Sequence, residues 1–230
     1  MDWLVFHVEH RYGEVWKQCQ RAIRQRNQCL RRGTINEQEL RPWSEQVAGL
    51  GEEVTRLRRI AFERFHEELK ASLKRTEACW GRELQMEFVQ GWDRTQSLAM
   101  ALTQNPQSEQ RAGFTLYGPN RADIRIRCEG MPAGDVLSRG QQRSLVVLMK
   151  LAQMRVLRNY SDIAAICLVD DMNAELDVDN QGFLVDELMG LGCQLFVTSI
   201  KSPDDGAAWT RLSASNYRMF HVEHGQFAEQ

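Results

Sequence analysis

Apolar residues recur along the first third of the chain at helical spacing. Tyr12, Trp16, Cys19, Ile23 and Leu30 fall on one stripe, and Val47, Leu50, Val54, Leu57 and Ala61 alternate four and three apart. This pattern predicts two long helices packed along a seam between Tyr12 and about Trp80. Gly33 and Asn36 mark the turn between them, and Pro42 suits an early position in the second helix. Ahead of them, MDWLVFHVEH mixes aromatic and β-branched residues and reads as a strand. Its core FHVEH recurs at Phe220–His224, which suggests two sheet-associated segments of similar composition. Each copy has H-x-x-H spacing, but residues three apart on a strand point to opposite faces. His7 and His10 are therefore poor candidates for sharing a metal ion.

Beyond Leu84 the period changes. Leu84, Met86 and Phe88 alternate with polar residues as in a strand that Gly91 ends. A short helix through Leu98 and Leu102 runs to an Asn105–Pro106 loop. FTLY (Phe114–Tyr117) and DIRIRC (Asp123–Cys128) are strand candidates. A helix is expected from Ser138, with Leu145, Leu148, Ala152 and Val156 as its buried stripe. An all-apolar strand, Ile163–Val169, follows, then a helix near Phe183–Met189 and a strand at Gln194–Ile200. Strand, helix, strand at this spacing is a crossover unit of a parallel sheet, and an apolar run suits a strand covered on both faces.

Composition narrows the class only slightly. At 230 residues with net charge -2, the chain can bury a substantial core and is not basic overall. Basic residues are instead concentrated on the first long helix, where Arg11, Lys17, Arg21, Arg24, Arg26, Arg31 and Arg32 face only Glu14. Such a run is either a solvated helix face or a track for nucleic-acid phosphates, with Arg21, Arg24, Arg31 and Arg32 the DNA-binding candidates. The six cysteines are scattered without C-x-x-C, as in a reduced cytosolic protein. No apolar run reaches the ~20 residues that cross a bilayer, and no segment has the make-up of a secretory signal. The expectation is a soluble, cytoplasmic protein without a membrane partner.

The chemistry concentrates in two segments. ICLVDDMNAELD carries Asp170 and Asp171 at the carboxyl end of the apolar strand, where ligands bind in open α/β sheets. Adjacent aspartates on a strand point apart, so one can serve a magnesium ion and the other an attacking water. The plainer alternative is a pair of caps for the next segment. The second segment, LSRGQQRSL (Leu137–Leu145), places Ser138 as an N-cap with Gln141 three residues on, a capping-box pattern. A helix start with serine, glycine and exposed amides suits an anion, although helices need caps in any case.

Together, LSRGQQ, CLVDD and AELD resemble the signature motif, Walker B strand and D-loop of ATP-binding-cassette and structural-maintenance-of-chromosomes ATPase heads. Within that class the chain resembles the RecF family of bacterial DNA replication and repair proteins, from Asp2 to about Gly225. Arg139 stands where transporters carry glycine, and YGPNRADIRIR resembles the segment by which the chain re-enters the head after its helical arm. There the family commonly has histidine at the position of Asn120.

The resemblance implies an α/β fold: a partial ATPase head, its parallel-sheet lobe bearing an inserted coiled-coil-like arm. Residues 1–10 would end an amino-terminal lobe, 11–82 would form the arm, and 83–230 the carboxyl-terminal lobe. It implies ATP and Mg2+ as cofactors and an ATP-dependent homodimer. Ser138, Arg139, Gly140, Gln141 and Gln142 would meet the γ-phosphate held by the partner subunit. Asp170 would assist magnesium, and Asp171 would be the catalytic base where most of the class has glutamate. Glu175 and Asp177 would form the D-loop. Thr198 and Ser199 would form the switch, where transporters carry histidine. It further implies binding to DNA at single-stranded/double-stranded gaps, with RecO and RecR as partners and RecA loading as the outcome.

One part of such a site is absent. No glycine in the chain is followed by lysine, so G-x-x-x-x-G-K-[ST], the loop that cradles β- and γ-phosphates, does not occur. The sequence therefore reads as the carboxyl-terminal two-thirds of such a protein, without ATP hydrolysis of its own. The alternatives are a non-catalytic DNA- or partner-binding module and one half of a split ATPase.

Overall fold

The computed structural model describes residues 1–32, 36–75, 83–161, 163–170, 178–198 and 218–229. They divide into two compact units, Met1–Ser138 with Leu148–Ile163, and Arg139–Val147 with Ala164–Gln230.

In the first unit, α1 (Asp2–Val8), α2 (Tyr12–Leu30) and α3 (Glu37–Arg75) precede strand β1 (Leu84–Val89). The two long helices follow their predicted stripes: Tyr12, Val15, Cys19 and Ile23 meet Val47, Val54, Leu57 and Ala61 in one apolar cluster. Fully burying such side chains stabilises by roughly 1.5–3 kcal/mol each. Pro42 lies inside α3, which begins at Glu37, so its missing N–H falls just beyond the first turn. Leu98, Ala101 and Leu102 of α4 (Leu98–Gln104) join the same cluster. Gly51 permits that docking, because a Cβ there would come within 2.6 Å of Leu98 Cδ2.

Three expectations for this unit are corrected. The opening segment is a helix, with Leu4 and Val5 buried and the His7 Nδ1–H donating to the Trp3 carbonyl at 2.7 Å. Burial of one side of the turn against α2 and α3 overrides the β-leaning composition. Asn105–Pro106 is not a loop but the start of α5 (Pro106–Ala112), with the proline at its first position, where the lost N–H costs nothing. FTLY forms no strand, because its amides have other partners. Thr115 N donates to Asn27 Oδ1 at 2.8 Å and Leu116 N to Glu109 Oε1 at 2.9 Å.

DIRIRC is β2 (Asp123–Cys128), antiparallel to β1, and β3 (Met131–Pro132) adds to its other edge. Gly91, at φ +98°, ends the β1 segment under the backbone of Gly118, where a Cβ would lie 2.2 Å from a carbonyl oxygen. Only glycine fits there. A short helix α6 (Ala133–Val136) leads to α7 (Arg139–Tyr160). On α7 the predicted stripe Leu145, Leu148, Ala152 and Val156 is buried throughout.

The second unit pairs β4 (Ile166–Val169) with β5 (Gln194–Val197) in parallel, joined through α8 (Val178–Met189). The crossover unit read from the sequence is present, with β4 starting three residues later than Ile163. Coverage on both faces is corrected. Ile166, Leu168 and Phe196 share an exposed face, at 61 %, 75 % and 52 % exposure, while Cys167, Val169, Leu195 and Val197 on the other face are half-buried. The second FHVEH copy is a strand, β6 (Phe220–Glu223), paired with β7 (Gln226–Glu229) across His224 and Gly225, both at positive φ. That is the backbone of a type I′ hairpin. Among the described residues no helix is long and apolar enough to cross a membrane.

Candidate functional site

Parallel pairing places the carboxyl ends of β4 and β5 side by side, with Val169 opposite Val197. One residue further, Thr198 N donates to the Val169 carbonyl at 2.9 Å, which holds the next pair in register. The Thr198 hydroxyl then donates to Asp170 Oδ1 at 2.5 Å. Two residues separated by 28 positions, predicted to belong to the metal-binding strand and the switch, thus meet at one sheet edge. This edge is where open α/β sheets bind ligands. The Asp170 carboxylate is exposed there, oriented by a hydroxyl, and presents hard oxygen donors of the kind magnesium takes.

Among the described residues no group of three or more His, Cys, Asp or Glu is placed to hold a metal. A magnesium ion held by one carboxylate, phosphate oxygens and water requires no such group. The exposed Asp170 carboxylate has the chemistry to be that one protein ligand. Asp171, Glu175, Asp177 and Ser199 lie outside the described residues.

The other motif opens α7. Ser138 directly precedes the helix, and Arg139, Gly140, Gln141 and Gln142 are its first turn. Ser138, Arg139 and Gly140 are exposed, whereas Gln141 and Gln142 are half-buried. The Gly140 carbonyl accepts from the Ser144 hydroxyl at 3.1 Å. Among the described residues, nothing beyond its own helix and chain neighbours lies within 4 Å of where a Gly140 Cβ would be. Its own packing therefore does not demand glycine at this position.

The basic helix divides in a way its sequence conceals. Arg21 and Arg24 are exposed on α2. Arg31 is exposed but donates to the Gly113 carbonyl at 3.1 Å, and Arg32 pairs with Glu39 at 3.0 Å. Arg26 does not face solvent at all. It is wholly buried and bonded to Ser44, Thr115, the Leu102 carbonyl and Glu109. Sequence reasoning placed it on a charged face. Its position three residues after Ile23 and four before Leu30, inside the apolar stripe, is the signal that marked it as buried.

The chain is 44% identical over its whole length to the DNA replication and repair protein RecF of Marinobacter nauticus, covering 61% of that protein. It is 36% identical over 98% of its length to RecF of Cellvibrio japonicus, again covering 61% of that protein. The chain thus spans about three fifths of the length of these relatives. Two solved structures of the recombination mediator protein RecF in the RecFOR pathway share the fold. One, with ATP, superposes at a TM-score of 0.78 with 18% identity, covering 100% of this chain and 61% of that one. The other, with ATPγS, gives 0.73 with 19% identity, covering 96% and 59%. No family model matches the chain. The chain is thus similar in sequence and fold to RecF proteins across the whole of its own length and about three fifths of theirs.

Proposed function

We propose that the chain serves as the signature-motif and Walker B portion of an ATP-dependent DNA replication and repair protein. The protein binds DNA at single-stranded/double-stranded gaps in the cytoplasm and, with RecO and RecR, helps RecA load. The observation that carries this reading is the Asp170–Thr198 hydrogen bond at the carboxyl edge of a parallel strand pair.

At that edge Asp170 assists a magnesium ion, with Thr198 fixing the carboxylate and, together with Ser199, forming the switch. When bound, magnesium neutralises the charge of the nucleotide phosphates. Asp171 accepts the proton of the attacking water, and Glu175 and Asp177 belong to the D-loop. Ser138 to Gln142 act on the other subunit of an ATP-dependent homodimer, meeting its γ-phosphate. The open space around Gly140 supports this role, since an incoming phosphate needs close approach to backbone amides.

Because no G-x-x-x-x-G-K-[ST] occurs in the chain, the grip on the β- and γ-phosphates comes from residues outside it. The test is phosphate release by the purified chain, with and without gapped DNA, beside DNA binding across a salt series. Salt-dependent DNA binding with negligible hydrolysis is expected. Robust turnover that disappears in Asp170→Ala would overturn the assignment of the phosphate grip to other residues.

A further inference from the structure

A groove of about 350 Å³ lies in the first unit between α3, the end of β1 and the segment leading to α4. Its helical wall consists of positions 52, 55, 56 and 59 of α3, which share one face because they are three, four and seven residues apart. Three guanidinium groups line it, from Arg56, Arg59 and Arg94, against the single wall carboxylate of Glu52. That carboxylate is already engaged, accepting from Leu98 N at 3.0 Å. Arg59 bonds a neutral group, the side-chain carbonyl of the buried Gln90, at 2.9 Å. Arg56 and Arg94 pair with Glu53 and Glu87, which stand outside the groove wall. Arg56 holds Glu53 by two hydrogen bonds, at 2.8 and 2.9 Å, and is the more firmly paired. Arg94, which also donates to the Phe88 carbonyl, makes an exposed pair with Glu87 that contributes on the order of 0–1 kcal/mol.

An aromatic ring stands in the same wall. Trp92 is half-buried, with part of its ring packed on the apolar cluster of α2, α3 and α4. Thr55, also of the wall, carries the buried side-chain oxygen that lacks a hydrogen-bond partner among the described residues. Guanidinium groups suit phosphate, and a fixed indole suits a base. A volume near the lower end of the roughly 300–1,000 Å³ range of ligand sites admits a single nucleotide rather than a duplex.

We infer that this groove binds one nucleotide of single-stranded nucleic acid, its phosphate on Arg56, Arg59 and Arg94 and its base on Trp92. This deepens the DNA-binding reading above and rests on it for the source of the nucleotide. It adds a contact distinct from the exposed arginines of α2.

The test uses the whole 230-residue chain. Fluorescence anisotropy follows a labelled oligothymidylate and a duplex across a salt series, with thymidine monophosphate as competitor and circular dichroism as the folding control. Replacing both Arg59→Gln and Arg94→Gln should weaken oligothymidylate binding about tenfold and flatten the salt dependence by roughly 0.7 per lost phosphate contact. Trp92→Leu should weaken the single strand about tenfold and leave duplex affinity unchanged. Competition by thymidine monophosphate at matched nucleotide concentration would assign the same groove to a free nucleotide rather than a strand. If the folded arginine variant bound oligothymidylate and thymidine monophosphate like the parent chain, the inference would be wrong, while salt-dependent duplex binding would leave the DNA reading intact. If the parent chain bound the monophosphate but no DNA, the groove would stand and the DNA reading would fall.

Discussion

The guanidinium of Arg26 lies 2.5 Å from the carboxylate of Glu109, and neither side chain is more than 1 % exposed. The pair ties α2 to α5 while Arg26 also holds Ser44 of α3 at 3.0 Å and Thr115 at 2.9 Å. Removing one member strands the other charge without water, which costs about 3–5 kcal/mol. Arg26→Leu should therefore lower stability by that amount. The double variant Arg26→Leu with Glu109→Leu should recover much of the loss, because no buried charge remains. Urea unfolding of four proteins, the parent, both single variants and the double variant, measures these effects, and an additive double variant would show that the two groups do not act as a pair.

Asp2 and Arg58 give the fold an acid-sensitive contact. Burial alone would raise the Asp2 pKa, but two hydrogen bonds from Arg58, both 2.8 Å, and its positive charge outweigh burial. They hold the carboxyl below its usual 3.8. A carboxyl with a lowered folded-state pKa stabilises the fold above its unfolded value and loses that contribution as pH falls through the folded value. The parent chain should thus exceed Asp2→Asn in urea midpoint at neutral pH. The gap should close as pH drops below 3.8. A gap that stayed constant down to about pH 3 would mean the aspartate acts without its charge.

On the basic helix the structure separates two pairs. Arg21→Gln with Arg24→Gln should flatten the salt dependence of DNA binding by roughly one unit per lost contact, equally for every sequence. Arg31→Gln with Arg32→Gln should have a smaller effect, since these side chains already serve Gly113 and Glu39. Helix content should be unchanged in the first variant because both residues are exposed. Equal slopes for the parent and the first variant would reduce these arginines to a solvated face.

For the proposed ATP site, the informative protein joins this chain to a lobe that carries a phosphate-binding loop. Asp171→Asn should bind ATP and dimerise yet hydrolyse slowly, because an amide cannot accept the water's proton. Ser138→Arg should bind ATP but stay monomeric, since the longer side chain crowds the surface that meets the partner's γ-phosphate. Sedimentation with ATP separates the two cases. Normal dimerisation of the serine variant would place the signature residues outside the trans contact.

Periodicity alone determined the two long helices, the seam between them, the buried stripe of α7 and the strand–helix–strand order of the second unit. Each is a run long enough for the spacing of apolar residues to specify which face is buried. The paired motifs carried the resemblance to an ATPase head, because serine and glycine at a helix start and carboxylates at a strand end are local features. Tertiary structure decided the rest. The first FHVEH copy carries the last turn of α1, which ends at Val8, whereas the second is a hairpin strand at Phe220–Glu223, so five residues do not choose their own conformation. The first copy buries the preceding Leu4 and Val5, while the second pairs its backbone across a turn at positive φ. FTLY had strand composition, yet the half-buried Asn27 and the buried Glu109 took its amides. The meeting of Asp170 with Thr198, 28 residues apart, needed the parallel register of β4 and β5. Hydrophobic spacing acts over neighbouring turns of chain, whereas a hydrogen bond between distant segments exists only once packing has brought them together.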